Sequence, residues 1–239
     1  MSVFIRRGFG IAALLILAVG LGACGNPEPE QRKAFIAYLQ KIIDRPGVRV
    51  PNPQPEDQKT FGDYTRHYAV ILDFNKEMAV IMQTFAAQMR QLAGGETGAR
   101  TIEQLVTHRS DVIAVQDGLG KSQQGMREKL AAAQAARAKL QQPEDLKKVY
   151  DAAFDKIIVQ PVQGVEKVYA VLSDGIKATL QLVDYVDSHR TTLTVSGSQV
   201  QAKNARTLSE INELMKAHNA AGLRVNEARN NLRKIMEGN

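Results

Sequence analysis

The chain has 239 residues, is 44% hydrophobic and 23% charged, and carries a formal charge of +6 at neutral pH. This is the make-up of an ordinary globular protein with a sizeable core, and it excludes a disordered or fibrous chain. Aromatic residues are few at 5%, with no Trp and one Cys, which argues against a flat aromatic sugar-binding face and against a disulfide-stapled miniature domain.

The first 24 residues read as an export and anchoring signal. Arg6 and Arg7 precede an apolar run from Phe9 to Leu21, and the run closes on Leu21-Gly22-Ala23-Cys24. A charged start, a short apolar middle and a small-residue exit describe a secretory signal peptide rather than a membrane span. The cysteine directly after the small residues resembles the lipobox of bacterial lipoproteins. That resemblance implies cleavage between Ala23 and Cys24, loss of residues 1–23, and a diacylglycerol on Cys24. Residues 24–29 then form a lipidated tether and 30–239 a single helical domain. The resemblance also implies a place in the cell envelope, on the periplasmic side. Many Gram-negative lipoproteins with Asp after the cysteine stay at the inner membrane, and here that position is Gly25, so the outer membrane is the expected destination. Export takes the chain away from nucleic acid. The remaining charges are interleaved in sign, as on a solvated mixed surface.

Past the tether, Phe35, Ile36, Leu39, Ile42 and Ile43 recur at helical spacing and predict a helix from about Glu30 to Asp44. Pro46-Gly47 stops it, and Pro51, Pro53 and Pro55 keep the following stretch extended. From Phe61 to Leu92, apolar residues alternate in steps of three and four, predicting one long helix ended by Gly94-Gly95. Asn75 interrupts that stripe, either as a buried register-fixing residue or as an exposed one at a packing gap. Thr101 and Gln104 have the form of a capping box, and Leu105, Val112, Leu119, Met126, Ala133 and Leu140 carry a heptad onward to about Gln141. Gly118, Gly120 and Gly125 predict a bend or a close helix approach in its middle. A further helix starts after Pro143, with a kink or break expected at Pro161 before the pattern resumes to Val186. The period then changes, and residues 191–195 and 198–202 predict a β-hairpin around Ser196-Gly197. A last helix runs from about Ala205 to Met236. Long one-sided stripes bury themselves only against each other. The expected fold is all-α: an antiparallel bundle of about five long helices with one small β-hairpin near residues 191–202.

The run Gln31-Arg32-Lys33-Ala34-Phe35-Ile36 with Leu39-Gln40 lies just past the cysteine. It is followed by Asp145-Leu146-Lys147, Ala153-Phe154, Pro161 and Asp184-Tyr185. In this order they resemble a family of Gram-negative envelope lipoproteins defined as a domain of unknown function. The resemblance spans most of the chain after Cys24, and its motifs are structural. It implies a lipoprotein and a helical fold, and supplies no catalytic residue.

No catalytic constellation stands out. Val115-Gln116-Asp117-Gly118-Leu119-Gly120-Lys121-Ser122 imitates the end of a phosphate-binding loop, but Val115 stands where the first glycine is needed and the heptad runs through it. His67, His108, His189 and His218 are dispersed and lack a Glu three residues before them, as di-iron bundles require. Asp151 and Asp155 lie one turn apart among Lys147, Lys148 and Lys156, as on a solvated face. No cofactor, metal or catalytic residue is assigned, and no enzyme activity is expected. The expected function is a lipid-anchored periplasmic protein that binds or braces something in the envelope, through a protein partner or self-association. The alternative is a carrier of a lipid or small hydrophobic ligand, with Met78, Met82 and Met89 supplying adaptable apolar surface.

Overall fold

Phe35, Tyr68, Tyr150 and Phe154 are fully shielded from solvent, and the helices that carry them build one end of the molecule. The computed structural model describes residues 26–92 and 101–239, with only the backbone described at 91 and 92. Ala23 and Cys24, the expected cleavage and attachment point, and the expected Gly94-Gly95 stop lie outside the described residues. The elements in chain order are α1 (Glu28–Asp44), α2 (Pro55–Phe61), α3 (Thr65–Leu92), α4 (Ile102–Thr107), α5 (Arg109–Ala138), α6 (Glu144–Phe154), α7 (Gln160–Ser188), β1 (Leu193–Ser196), β2 (Gln199–Ala202) and α8 (Ala205–Glu237). The fold is therefore an all-α bundle with one two-stranded antiparallel hairpin.

Three expected helix boundaries are revised. The helix expected from Phe61 to Leu92 is divided: α2 ends at Phe61 and a 3₁₀ turn, Gly62–Tyr64, redirects the chain into α3. Gly62 sits at φ +56°, a conformation that selects glycine, and a Cβ there would lie 2.3 Å from the end of the Gln31 side chain of α1, which would have to swing aside. The helix expected from Thr101 is capped as predicted, with Gln104 N–H donating to Thr101 Oγ1 at 3.2 Å and Thr101 N–H to Gln104 Oε1 at 2.9 Å. It breaks at His108 (φ −108°, ψ 36°) into α4 and α5. Pro161 does not break its helix. A π-helical turn, Asp155–Val159, precedes it, and Gln160 N–H closes on the Asp155 carbonyl. The wider turn absorbs the missing proline N–H, so α6 and α7 form one continuous rod. From Glu144 to Ser188 that rod is about 65 Å long at 1.5 Å per residue.

Along this rod α5 packs against both α3 and α7, and α8 runs back along α7. Gly118 of α5 marks the close approach expected from its position, because a Cβ there would meet the Gln88 side chain of α3 at 2.4 Å. Helix α1 runs alongside α6, with Arg32 bridging Asp145 at 3.3 Å near one end and Lys156 Nζ donating to the Ile43 carbonyl at 2.5 Å near the other. The N-terminal end of α1, which follows the expected tether in sequence, thus sits at the start of the rod. The hairpin sits at the opposite end, where Glu103 N–H donates to the Gly197 carbonyl at 3.0 Å and Gly197 N–H to Glu103 Oε2 at 2.8 Å. A second small core under the hairpin joins Ile102, Leu182, Val186, Leu193 and Ile211.

Candidate functional site

Helix α3 carries its apolar stripe past the end of α1, and beyond Phe74 one side of it is closed by α5 and α7, where Ile81 lies beside Gly125 and the Phe85 ring meets Tyr169 edge-on at 5.0 Å, while the other side is left open. Phe74 is 5% exposed, whereas Met78, Ile81, Met82, Phe85 and Met89 are only half-buried. Asn75 is exposed, the packing-gap alternative of the two its position allowed. Helix α8 should cover this stripe but lies too far over on α7. Among its 33 residues, Thr207, Ile211 and Ala221 are buried, and Met236 remains 43% exposed. An apolar groove with α7 as its floor is left between α3 and α8.

The groove has two chambers. The one nearer the tether holds about 230 Å³ and is lined by Val48, Phe74, Asn75, Met78, Ile157 and Val165, among others. The farther one holds about 640 Å³, within the usual range for a small-ligand pocket, with Phe85, Met89, Val168, Leu172 and Val225 among its walls. Met82, Leu232 and Met236 line both. The Pro-rich strap after α1 caps the tether end: Val48 N–H donates to the Met236 carbonyl at 2.9 Å. Gly47 (φ +70°) and Gly238 (φ +79°) make this crossing possible, since a Cβ on Gly238 would lie 2.0 Å from the Gly47 nitrogen.

Charge is distributed unevenly. No charged side chain lines the 230 Å³ chamber, whereas Arg90, Arg229 and Arg233 line the 640 Å³ chamber without any acidic residue. Other arginines along the rod are paired: Arg127 forks onto Glu166 at 2.7 and 2.9 Å, and Arg109 onto Asp184 at 2.5 and 3.2 Å. Those guanidinium hydrogen bonds hold the Glu166 and Asp184 carboxyls below their ordinary range. No ion pair of Arg90, Arg229 or Arg233 is found among the described residues.

The other candidate residues stay apart. His67 Nδ1 lies 3.1 Å from Gln142 Nε2, His108 caps α4, His189 stacks on Tyr185, and His218 Nδ1 lies 3.0 Å from Thr179 Oγ1. Burial lowers the pKa of both His67 and His218, which favours the neutral ring. Asp151 binds Lys147 at 2.6 Å, and Asp155 accepts from Gln160 at 2.8 Å. Residues 115–122 lie inside α5, with Val115 buried in the core. Among the described residues no three His, Cys, Asp or Glu side chains gather closely enough to hold a metal, and no helix is long and apolar enough to cross a membrane. The structure brings Met78, Met82 and Met89 to one surface. The three arginines beside them went unnoticed in the sequence. A signal was present: neither Arg90 nor Arg229 has Asp or Glu three or four positions away, so no helical neighbour neutralises them.

The fold and the groove together define a class: a helical rod with a ligand-sized apolar groove along its side. Within that class, the chain belongs to the family described as protein of unknown function (DUF3053), whose model matches residues 11–233. The Uncharacterized protein YiaF of Escherichia coli (strain K12) is 26% identical over 209 residues, which cover 87% of each chain. YiaF of Escherichia coli O157:H7 and of Shigella flexneri show the same 26% identity and 87% coverage. No solved structure matches the chain.

Proposed function

We propose that this protein is a lipid-anchored, non-catalytic binding protein of the cell envelope, held on the periplasmic side by Cys24, with the α3–α7–α8 groove as its binding face. The observation that carries this reading is the groove itself. Half-buried Met78, Met82, Phe85 and Met89 are apolar surface that the fold gathers and leaves uncovered. Such contiguous surface is costly to leave in water and is a common mark of a binding site. The rest of the molecule serves placement. Cys24 and Glu28 are separated by at most about 15 Å of chain. From the level of Asp145, which Arg32 contacts, to Ile157 at the groove's near end is about 18 Å of helix. A lipid on Cys24 therefore holds the groove close to the membrane surface, and Gly25 directs that anchor to the outer membrane.

Photo-crosslinking in living cells tests the reading. A photoreactive residue at Met82 of the full chain is expected to give an adduct, whereas one at Leu223, 73% exposed on the far side of α8, gives none. Equal yields at both positions, or no adduct at Met82, would remove the groove as the binding face. Sucrose-gradient fractionation of the same cells is expected to place the protein with outer-membrane markers, and co-migration with inner-membrane markers overturns that destination.

A further inference from the structure

We infer that the groove takes a single-chain anionic amphiphile of the fatty-acid type, its alkyl tail toward the strap and its carboxylate among Arg90, Arg229 and Arg233. This rests on the proposed role of the groove as the binding face and names what it binds.

The argument is one of polarity along the groove. Its tether end is capped by the Val48–Met236 crossing, and Asn75 is the single hydrogen-bonding side chain lining that chamber. A polar ligand group placed there would exchange its water for almost nothing, at a cost that apolar burial does not repay. The far chamber is lined by three guanidinium groups and, among the described residues, by no carboxylate, and none of the three arginines makes an ion pair there. Guanidinium N–H groups donate to carboxylate oxygens in fork geometry, and such charge-assisted bonds gain strength beside a low-dielectric wall. One end of the groove therefore recognises hydrocarbon and the other an anion. A volume of 230 Å³ lies below that of a whole-ligand pocket, which fits one extended tail better than two. Met82 and Met236, unbranched thioethers lining both chambers, can shift to let a chain pass between them.

The test uses the mature lipidated chain, Cys24 onward, in phosphatidylcholine nanodiscs, with a diazirine-bearing palmitate as probe and its methyl ester as the neutral counterpart. On illumination the palmitate is expected to label peptides from α3 and α8 around Met82 and Leu232, and the ester about tenfold less. In the Arg229→Ala/Arg233→Ala variant palmitate labelling falls to the ester's level. It stays high in the Arg229→Lys/Arg233→Lys variant, which keeps the charge, and in Arg224→Ala, which removes an exposed cation that does not line the groove. A circular dichroism melt of each variant confirms that the fold persists. Equal labelling by acid and ester overturns the anionic-ligand inference and leaves the groove as a binding face. A protein-sized adduct at Met82 in cells does the same and assigns the groove to a partner chain. Absence of labelling by either probe overturns the acyl-chain assignment, and absence of any cellular adduct at Met82 removes the binding face itself.

Discussion

The two halves of α3 carry the same kind of stripe and meet different fates. From Thr65 to Phe74 the stripe is closed by α1 and α6, and Phe35 packs against Phe61, Tyr64 and Tyr68 with ring centroids 5.3, 5.8 and 6.4 Å apart. Its polar ends are satisfied inside the cluster: Tyr68 and Tyr150 hydroxyls donate to the Pro51 and His67 carbonyls, both at 2.8 Å, and Tyr64 donates to Glu28. Burial, helped by that Glu28 carboxylate, pushes the Tyr64 hydroxyl up to about 12, so it stays protonated at any physiological pH. From Met78 to Met89 the stripe packs on the core along one edge and is only half-buried along the other, which is lined by flexible thioethers and rimmed by arginines that make no ion pair among the described residues. Aromatic residues with hydrogen-bonded ends specify one packing; methionines tolerate many. The first half is built to hold together the end of the rod where α1 begins. The second is built to be covered by something else.

Substitutions ought to separate the halves. Phe35→Ala, at the centre of the closed half, is expected to cost about 3–5 kcal/mol, read as a lowered urea midpoint. Gly62→Ala, which places a Cβ at φ +56° against Gln31, should cost roughly 1–2 kcal/mol by the same measurement. Met89→Ala, in the open half, is expected to change stability by less than about 1 kcal/mol, because little transfer and no closed cavity are involved. A loss comparable to that of Phe35→Ala would show that the groove is closed core. Tyr169→Phe sits at the boundary: this hydroxyl is buried beside Ser122 with no partner of proper hydrogen-bond geometry, and burial raises it to about 12. Removing it should leave stability unchanged or slightly higher, and a clear loss would reveal a hydrogen bond there.

Acid should act through two half-buried histidines, His67 in the closed half and His218 on α8 against Thr179. The native pKa values of His67 and His218 lie below 6.5, so between those values and 6.5 the unfolded chain binds more protons than the folded one. Stability then rises with pH across that window and falls as pH drops below about 6.5. His218→Gln is expected to flatten this dependence in urea titrations from pH 5 to 7, and an unchanged slope would mean that His218 is protonated alike in both states.

Much of this architecture was legible in the sequence because it is local. The capping box at Thr101, the hairpin around Gly197 and the stripes of α1 and α8 follow from spacing and turn chemistry alone. The break at His108 was hidden because Leu105 and Val112 keep the heptad phase across it, and both are buried. Phe74 was missed for a related reason. A straight helix of 3.6 residues per turn drifts from a strict heptad, so after Ile71 burial passes to Phe74 and leaves Asn75 outside. At Pro161 a kink or break was expected, and the π turn that absorbs the proline has no sequence signature of its own. The groove was least legible. Met78, Met82 and Met89 look like core on any helix, and whether they are covered depends on where α8 lands some 140 residues later in the chain. The same holds for Arg229 and Arg233, which read as solvated face until antiparallel docking sets them opposite Arg90.

Amide hydrogen exchange along α3, with and without dodecanoate, tests the central contrast most directly. In the mature lipidated protein in phosphatidylcholine nanodiscs, amides of residues 65–74 are expected to exchange slowly in both conditions. Those of residues 78–89 should exchange faster without the fatty acid and slow markedly with it. Uniform protection along the whole helix, or slowing confined to residues 65–74, would contradict an open groove that binds an anionic amphiphile.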